Sequence, residues 1–478
     1  MDIREGLTFD DVLLVPKFSD VSSRSETDLS TQLSRNISIN IPLISANMDT
    51  VTESSMAVTI AREGGIGIIH RFLTIQEEVN EVLKVKRSGS VMIENPYSIS
   101  TEQTIQNAFS IMNEKQVSGL LVVDSNSKLV GILTGRDILF EPPNCSKLVK
   151  ELMTKDVVTA KLGIDLEEAK EVLKKNRIEK LPIIDDNNLV KGLITCQDIS
   201  NLEKYPNASK DNKGRPIVGA AVGVKGDFME RTEALIGAGT DAIVVDIAHG
   251  HSENAINTVK NIKKAFSDCE IIAGNVATAK GTEDLIKAGV DAVKVGVGSG
   301  SICITRVITG SGVPQLTAVL DCAKVGKEYN IPIISDGGTR NSGDATKALA
   351  AGASSIMVGS ILGGTDETPG TTITKNNKRF KIYRGMASLG ASMGRKTRET
   401  GAFELTDDIN DYVAEGVDAM VPYKGSVTDI ITQITGGIRS GLSYCGAHNI
   451  KQMHENAEFI KISGAGFAES QPHDVDIM

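Results

Sequence analysis

The 478-residue chain has no tryptophan, and aromatic residues make up only 4% of it. A core must therefore be built mainly from Ile, Val, Leu and Ala, which the hydrophobic content of 40% allows. No block of Lys and Arg occurs and the net charge is −10, which argues against a nucleic-acid partner, because phosphate binding needs clustered cations. No apolar run approaches the roughly 18 residues of a membrane-spanning helix. The first residues, MDIREGLTFDD, lack the apolar centre of a signal peptide.

Cysteine is sparse, and no two cysteines form a CxxC pair. Scattered thiols favour a reduced, cytoplasmic setting and argue against a zinc site. The six cysteines are Cys145, Cys196, Cys269, Cys303, Cys322 and Cys445.

Short apolar runs recur along the chain, each followed by an amphipathic stretch. The runs are apolar throughout rather than alternating, as expected of strands that are buried on both faces. Eight strand–helix repeats predict an α/β fold, a (β/α)₈ barrel. The runs cover 42–48, 64–70, 217–224, 242–248, 270–276, 292–298, 332–338 and 355–360.

An internal repeat interrupts this series of apolar runs between the second and third of them. Residues 117–138 align with 178–199, and each copy ends in T-x-x-D. Two tandem copies should pack together as one inserted module. The sequence predicts barrel segments at 1–91 and 205–478, with an insert at 92–204 divided into 92–148 and 149–204.

A lone cysteine, Cys303, lies in the glycine- and serine-rich loop "VGVGSGSICITRVITGSGVPQ" (295–315), just after the sixth run. Active sites of such barrels lie at the carboxyl ends of the strands. Flexible neighbours let a ligand approach closely, and Arg306 would favour a thiolate. The thiol is therefore either a nucleophile or a small buried side chain.

Glycine-rich turns follow the seventh and eighth runs, in "SDGGTRNSGD" and "VGSILGG". Each leads into a helix, so its backbone N–H groups suit a phosphate. The alternative is two tight turns without a ligand, but their occurrence on adjacent strands favours a phosphate. Asp336 can accept hydrogen bonds from ribose hydroxyls. A phosphate, a ribose and a thiol together suggest a nucleotide whose base reaches Cys303.

A polar stretch at 391–416 is predicted to be a long loop, which is either a lid over the site or disordered. It carries Arg395, Lys396 and Arg398. A lid over a covalent site would have to supply or position water.

The catalytic part resembles the IMP dehydrogenases and their relatives, the GMP reductases, along almost its whole length. The insert is similar to the paired CBS module of the same enzymes. The resemblance rests on the Cys303 loop and on "FDDVLLVP", "SANMDTV", "SDGGTRNSGDATKALAAGASSIMVGSILGGT", "YRGMASLGA", "VPYKG", "GGIRSGLSYCGA" and "ESQPHD".

The resemblance implies a role for each matching residue. Cys303 would attack C2 of the purine, Thr305 would lie beside it, and Arg398 would align the hydrolytic water. The nucleotide would be held by Ser301, Asp336, Gly337, Gly338, Gly359, Ser360, Tyr383, Arg384, Gly385, Met386, Ala387 and Glu415. The cofactor NAD would meet Asp246, Gly296, Val297 and Gly298.

The resemblance also implies other ligands and partners. A potassium ion would be bound by the carbonyls of Gly298, Gly300 and Cys303, with Glu469, Ser470 and Gln471 of the C-terminal tail, Glu469 and Ser470 coming from a neighbouring subunit. That arrangement implies a homotetramer or an octamer. In the insert, Thr134 and Asp137, with Thr195 and Asp198, would meet the ribose of adenine or guanine nucleotides; the other interpretation is two helix N-caps.

Several positions depart from the family pattern. Arg398 is followed by Glu399 where dehydrogenases typically have tyrosine, Ala387 replaces a glycine, and Gln471 replaces a histidine. Leu389 stands where reductases typically have glutamate. The sequence therefore favours IMP dehydrogenase, with GMP reductase and a non-catalytic nucleotide sensor as the alternatives.

Overall fold

The computed structural model describes residues 3–89, 92–400 and 413–472, without the side chains of 201–202 and 395–400. Contacts divide the chain into two compact units. One comprises Met1–Lys86, Asn207–Asp211 and Pro216–Met478; the other comprises Arg87–Pro206 and Asn212–Arg215.

The first unit is built on a closed barrel of eight parallel strands, as the sequence predicts. Strand β8 pairs with β1, and β2 pairs with β3 across the insertion, for example at Ile68 and Gly219. The strands are β1 (Leu43–Ser45), β2 (Ile66–Ile69), β3 (Val218–Val222), β4 (Ala242–Asp246), β5 (Glu270–Val276), β6 (Ala292–Val295), β7 (Ile333–Asp336) and β8 (Ser355–Val358).

A helix follows each barrel strand and covers its outer face. Most begin at a polar cap, such as Asn341, whose side chain accepts from the N–H of Asp344. No helix in the described ranges is long and apolar enough to cross a membrane. The helices are α1 (Ser54–Arg62), α2 (Ile75–Arg87), α3 (Phe228–Gly237), α4 (Glu253–Ala265), α5 (Ala279–Ala288), α6 (Gln315–Tyr329), α7 (Ser342–Ala350) and α8 (Val427–Tyr444).

Small aliphatic side chains fill the barrel core, as expected from a chain so poor in aromatics. One buried cluster inside the barrel contains Ile44, Ile68, Val244, Ile272 and Ile334, all within 1% of complete burial. Burying such side chains stabilises the fold by roughly 1.5–3 kcal/mol each.

Shorter elements surround the barrel. Val12–Leu14 pairs with Phe459–Lys461, and Thr31–Gln32 pairs with Ser38–Ile39. A separate antiparallel sheet contains Ile373–Lys375, Lys378–Arg384 and Asp418–Pro422. The remaining helical segments are Phe9–Asp11, Arg24–Glu26, Thr305–Thr309, Leu389–Thr400, Ile450–Asn456 and Gly464–Glu469.

The second unit contains two copies of one supersecondary motif. Each copy is a strand, a helix and a hairpin, and forms a three-stranded sheet with one parallel and one antiparallel pair. The first has Ser98–Ser100, Ile105–Lys115, Gly119–Val123 and Leu129–Thr134, then Val149–Leu152. The second has Ala160–Lys161, Leu166–Asn176, Lys180–Ile184 and Val190–Thr195, then Cys196–Lys204.

The T-x-x-D ends of the two copies have the same geometry. Thr134 donates to Asp137 at 2.7 Å through both its backbone N–H and its hydroxyl. In the second copy Thr195 donates to Asp198 in the same way, at 3.1 Å from its backbone N–H and at 2.6 Å from its hydroxyl. The carboxylate thus closes a local turn in each copy. In the second copy the helix Cys196–Lys204 follows directly, and Thr195 caps it by accepting from Asp198 N–H at 3.2 Å. In the first copy residues 135–140 form turns, so the helix-cap interpretation is wrong there.

The two chain segments that border the insert are clamped within the barrel unit. Lys86, at the end of α2, is 3% exposed and donates to Asp211 at 3.1 Å and to Asp241 at 2.6 Å. The returning segment is also fixed by Ser209, whose hydroxyl donates to the carbonyl of Gly64 at 2.5 Å. The barrel therefore secures both connections through its own residues.

We expect a variant with 92–204 replaced by a short Gly/Ser linker to fold and to keep the barrel's activity within about threefold, because the clamp lies outside the deleted segment. Activity and the thermal unfolding midpoint would measure this. Replacing Lys86 by Met in the same variant should lower the midpoint, since Asp211 and Asp241 would lose their buried cation. A deletion variant that folds but is inactive would show that the activity of the barrel depends on the insert.

Candidate active site

A cleft opens at the carboxyl ends of the barrel strands and has two connected halves, of about 320 and 290 Å³. One half reaches the turns after β7 and β8; the other reaches β4 and the cysteine loop. Residues lining both halves are Ala46, Met48, Gly298, Ser299, Gly300, Ser301, Asp336, Gly337, Met357 and Tyr383.

Cys303 lies in the second half, at one end of a line of hydrogen bonds. Its Sγ is 3.1 Å from Thr305 Oγ1, and Thr305 Oγ1 donates to Glu415 Oε2 at 2.8 Å. An ionised carboxylate only accepts, so the single hydroxyl proton of Thr305 is given to Glu415. The thiol must then donate to Thr305, which creates a path for its proton toward Glu415.

The backbone around this line is joined from three distant segments. Ile304 N–H donates to the carbonyl of Glu415 at 2.8 Å, and Glu415 N–H donates to that of Ala387 at 3.1 Å. Val417 N–H donates to Ile302, and Gly385 N–H donates to Val417, both at 3.1 Å. These hydrogen bonds therefore join the thiol loop to the end of the 391–416 stretch and to the 385–387 turn.

Asp336, at the end of β7, forms an ion pair with a buried lysine. Lys294 on β6 has a side chain only 4% exposed and donates to Asp336 Oδ2 at 2.7 Å. Asn275 Nδ2 donates to the same oxygen at 2.9 Å and to the carbonyl of Gly296 at 2.7 Å. Because both bonds end on Oδ2, Oδ1 can accept from a ligand in the cleft.

The first half of the cleft is lined by the glycine-containing turns that follow β7 and β8. Gly337 and Gly338 have φ of +89° and +76°, a region that other residues rarely adopt. A Cβ at Gly359 would lie 3.0 Å from both Met48 Sδ and Tyr383 Oη, so a side chain there would fit tightly. Burial raises the pKa of Tyr383 to about 12, and its hydroxyl has Ser301 and Ser360 as partners, so it stays a neutral donor.

The second half extends from the thiol to Asp246 at the end of β4. Asp246 accepts from Arg71 Nε at 3.3 Å, and both line this half. Gly296, Val297 and Gly298 line the same half as Asp246 and Cys303.

Most of the predicted substrate and cofactor residues line the cleft, but some do not. Arg384 binds Asp49 through Nε at 2.9 Å, which raises the pKa of its guanidinium, and it lines neither half. Glu469 ends the Gly464–Glu469 helix, and Ser470 and Gln471 follow as exposed residues outside the cleft of their own chain. Among the described residues, no cluster of three or more His, Cys, Asp or Glu could hold a metal ion.

The prediction of a loop over all of 391–416 is wrong for its first part, where Leu389–Thr400 is a helix. Ser388 accepts from Ala391 N–H at 3.2 Å, and Asp418 accepts from Gly390 N–H at 3.2 Å, so polar caps start it. The side chains of Arg395, Lys396, Arg398 and Glu399 lie outside the described residues, as do residues 401–412.

Sequence reasoning missed Lys294, Asn275 and Arg71. Lys294 and Asn275 lie within mainly apolar barrel strands, and Arg71 lies two residues after β2; these positions were the available signal. A cation in a strand buried on both faces needs a partner, which points to an acidic residue on a neighbouring strand.

Comparison with known proteins places the chain in a well-populated family. The model of the IMP dehydrogenase / GMP reductase domain matches residues 6–473. The chain is 75% identical over 478 residues, all of both chains, to an inosine-5′-monophosphate dehydrogenase of Nitrosopumilus maritimus. It is 53% identical over 477 residues, covering 99% of this chain and 96% of the other, to the same enzyme of Aquifex aeolicus.

A solved structure is similar over the full length as well. It is a GMP reductase of Trypanosoma brucei in complex with guanosine 5′-monophosphate, 45% identical, with a TM-score of 0.92 and 99% of each chain covered. The fold is therefore shared by proteins with both activities.

Proposed function

Because the chain belongs to the IMP dehydrogenase / GMP reductase family, we propose that it oxidises inosine 5′-monophosphate (IMP) to xanthosine 5′-monophosphate (XMP) with NAD⁺ and water, in guanine nucleotide synthesis. The observation that carries this is the hydrogen-bonded line from Cys303 through Thr305 to Glu415 at the base of the cleft. The high identity to dehydrogenases supports the choice of reaction.

The reaction begins when Cys303 loses its proton along that line. The thiolate adds to C2 of the purine, and hydride then leaves C2, so that sulfur and carbon remain joined in a thioimidate. Water adds at C2, the C–S bond breaks, and XMP leaves with a proton released. Splitting oxidation from hydrolysis replaces one difficult step by two easier ones.

The substrate is oriented by contacts on each of its parts. The turns at Gly337–Gly338 and Gly359–Ser360 receive the phosphate, with Tyr383 and Ser301 as further donors. Asp336 accepts from the ribose hydroxyls, and the 385–387 turn borders the base. NAD⁺, when bound, would supply the hydride acceptor, and Asp246, Gly296, Val297 and Gly298 would border it in the second half of the cleft.

We also propose a potassium ion at the thiol loop. Uncharged backbone carbonyls are the donors that replace the hydration shell of this ion, and Gly298, Gly300 and Cys303 supply three from one loop. The carbonyl of Gly300 accepts from Cys303 N–H at 3.2 Å, which leaves its second lone pair for a cation. Glu469 and Ser470 are exposed at the surface of their own chain, and in a homotetramer or octamer they would reach the ion from a neighbouring subunit, with Gln471 beside them in the tail.

The insert is proposed to be a paired CBS module that binds adenine or guanine nucleotides. Its two copies place Thr134 and Asp137, and Thr195 and Asp198, at equivalent positions. A cytoplasmic location fits six free cysteines.

GMP reductase is the second candidate, favoured by the solved reductase of similar structure and by the lack of a tyrosine after Arg398. A nucleotide sensor without turnover is the third. Purified protein is assayed with IMP plus NAD⁺ and with GMP plus NADPH, following the absorbance of reduced nicotinamide. NADH formation in the first assay supports the dehydrogenase, NADPH loss in the second supports the reductase, and no change in either supports the sensor.

Arg398→Ala is expected to slow hydrolysis of the thioimidate about 100-fold and to leave hydride transfer nearly unchanged. A pre-steady-state burst of NADH would then survive while steady-state turnover falls. Lys396→Ala, two residues earlier in the same helix, serves as the matched control and should change neither rate. If the burst is lost instead, and the ratio of the hydride-transfer rate to the hydrolysis rate is unchanged, Arg398 acts in substrate binding or in closure of the site.

A further inference from the structure

The loop that carries Cys303 contains five glycines between 296 and 312, a composition that gives the backbone many accessible conformations. Holding the thiol in one place therefore costs conformational entropy that some other contact must offset. The line through Thr305 and Glu415 fixes the middle of the loop but not its two ends.

Arg306 joins those two ends. Its Nε donates to the carbonyl of Val297 at 3.2 Å, and its Nη2 donates to the carbonyl of Val313 at 2.5 Å. Both donors belong to one planar guanidinium, so the two carbonyls are held at a fixed spacing. Within the described residues, Arg306 forms no ion pair with a carboxylate, so its hydrogen bonds serve the backbone of the loop.

The loop sequence makes room for this side chain. Gly298 has φ of +75°, and a Cβ there would overlap Arg306 Cγ. A Cβ at Gly312 would lie 2.6 Å from Arg306 Nε. Two glycines therefore flank the guanidinium, one near each carbonyl that it binds.

Arg306 is also the neighbour of the relay residue. Thr305 and Arg306 open the short helix Thr305–Thr309, and their side chains reach different partners. Thr305 contacts the thiol and Glu415, while Arg306 contacts the start and end of the loop. Movement of either end would be passed directly to Thr305 and, two residues earlier, to Cys303.

We propose that Arg306 is a positioning residue that latches residues 297 and 313 together and so holds Cys303 and Thr305 in the geometry for attack on the purine. This rests on the proposed function. The latch acts through the loop, so its loss should lower the rate of the covalent step more than the affinity for IMP.

The test compares Arg306→Gln, Arg306→Lys and Arg306→Ala with the natural full-length protein. We expect Arg306→Gln to slow the NADH burst by about 10–100-fold while the dissociation constant of IMP, measured by calorimetry, stays within about threefold. Lysine keeps the charge but reaches one carbonyl, so its rate should be intermediate. Added guanidinium at low millimolar concentration should partly restore the burst rate of Arg306→Ala.

Hydrogen–deuterium exchange gives a readout that needs no turnover. Peptides covering 297–313 should exchange faster in Arg306→Gln, with other barrel peptides unchanged. Arg439→Gln is the matched control, because Arg439 also donates to a backbone carbonyl, that of Thr27, away from the cleft; it should leave the burst rate and the loop exchange unchanged.

Three outcomes would overturn the latch. Unchanged exchange of the loop would show that Arg306 does not fasten it. An unchanged burst rate would show that fastening is irrelevant to the chemistry. A fall in IMP affinity as large as the fall in rate would make Arg306 a ligand of the substrate instead. If the natural protein forms no NADH from IMP and NAD⁺ at all, the proposed function fails, while the exchange result still decides whether the loop is latched.

Discussion

Turnover of a Cys303→Ser variant is expected to fall by about 10⁴-fold or more, while the variant folds normally and binds IMP with nearly natural affinity. A serine hydroxyl is hardly ionised near neutral pH, whereas a free thiol has a pKa of about 8.5, so serine supplies almost no nucleophile. Serine is similar in size and can still donate to Thr305, so the hydrogen-bonded line survives the change. Calorimetry with IMP and steady-state NADH formation measure the two expectations separately.

Intact-protein mass spectrometry gives a direct view of the covalent step. The natural protein sampled during turnover should carry an added purine nucleotide, and Cys303→Ser should carry none. Cys269→Ser serves as the matched control, because burial raises the pKa of that thiol to about 11 and keeps it unreactive. A Cys303→Ser variant with natural activity would refute the covalent mechanism.

Replacing Glu415 by glutamine should reduce turnover by about 100-fold or more. The amide oxygen of glutamine can still accept from Thr305, so the geometry is kept, but a neutral amide cannot take up the proton that leaves Cys303. Because that proton must leave before the thiolate adds, the NADH burst should slow together with steady-state turnover. This pattern differs from that of Arg398→Ala, in which the burst is expected to persist.

Glu270→Gln is the matched control for this experiment. Glu270 also accepts from a hydroxyl, that of Ser34 at 2.5 Å, but it lies at the start of β5, at the opposite end of the barrel from the cleft. Its variant should lose stability without losing the burst. Natural turnover in Glu415→Gln would mean that another group receives the proton.

The sequence predicts the barrel well because each strand can be recognised from its own short run of residues. Runs such as "AIVVDIA" are apolar on both faces and end where a glycine or a polar residue begins the next turn. The thiol loop and the two glycine-rich turns are equally local, which is why the cleft could be located before its geometry was known.

Long-range partners were harder to predict. Glu415 was expected to hold the nucleotide. Its hydrogen bond with Thr305 was not predicted, because the two residues are 110 positions apart in the sequence. Lys294 and Asp336 lie on neighbouring strands, but nothing in either run indicates that their side chains meet. The helix at Leu389–Thr400 was hidden by its polarity, since its caps come from Ser388 and from Asp418 on a strand further along the chain.

The clamp at Lys86 also has a consequence for how the chain folds. Lys86 and Asp211 are 125 residues apart, so the pairing of β2 with β3 cannot form until a very long loop has closed. The entropic cost of closure grows only logarithmically with length, yet contacts of such high sequence separation slow folding markedly. An insert that folds early would shorten the flexible part of that loop. The order of synthesis suits this, because the ribosome releases the complete insert before β3 emerges, so destabilising the insert should delay barrel closure even where it leaves the finished enzyme unchanged.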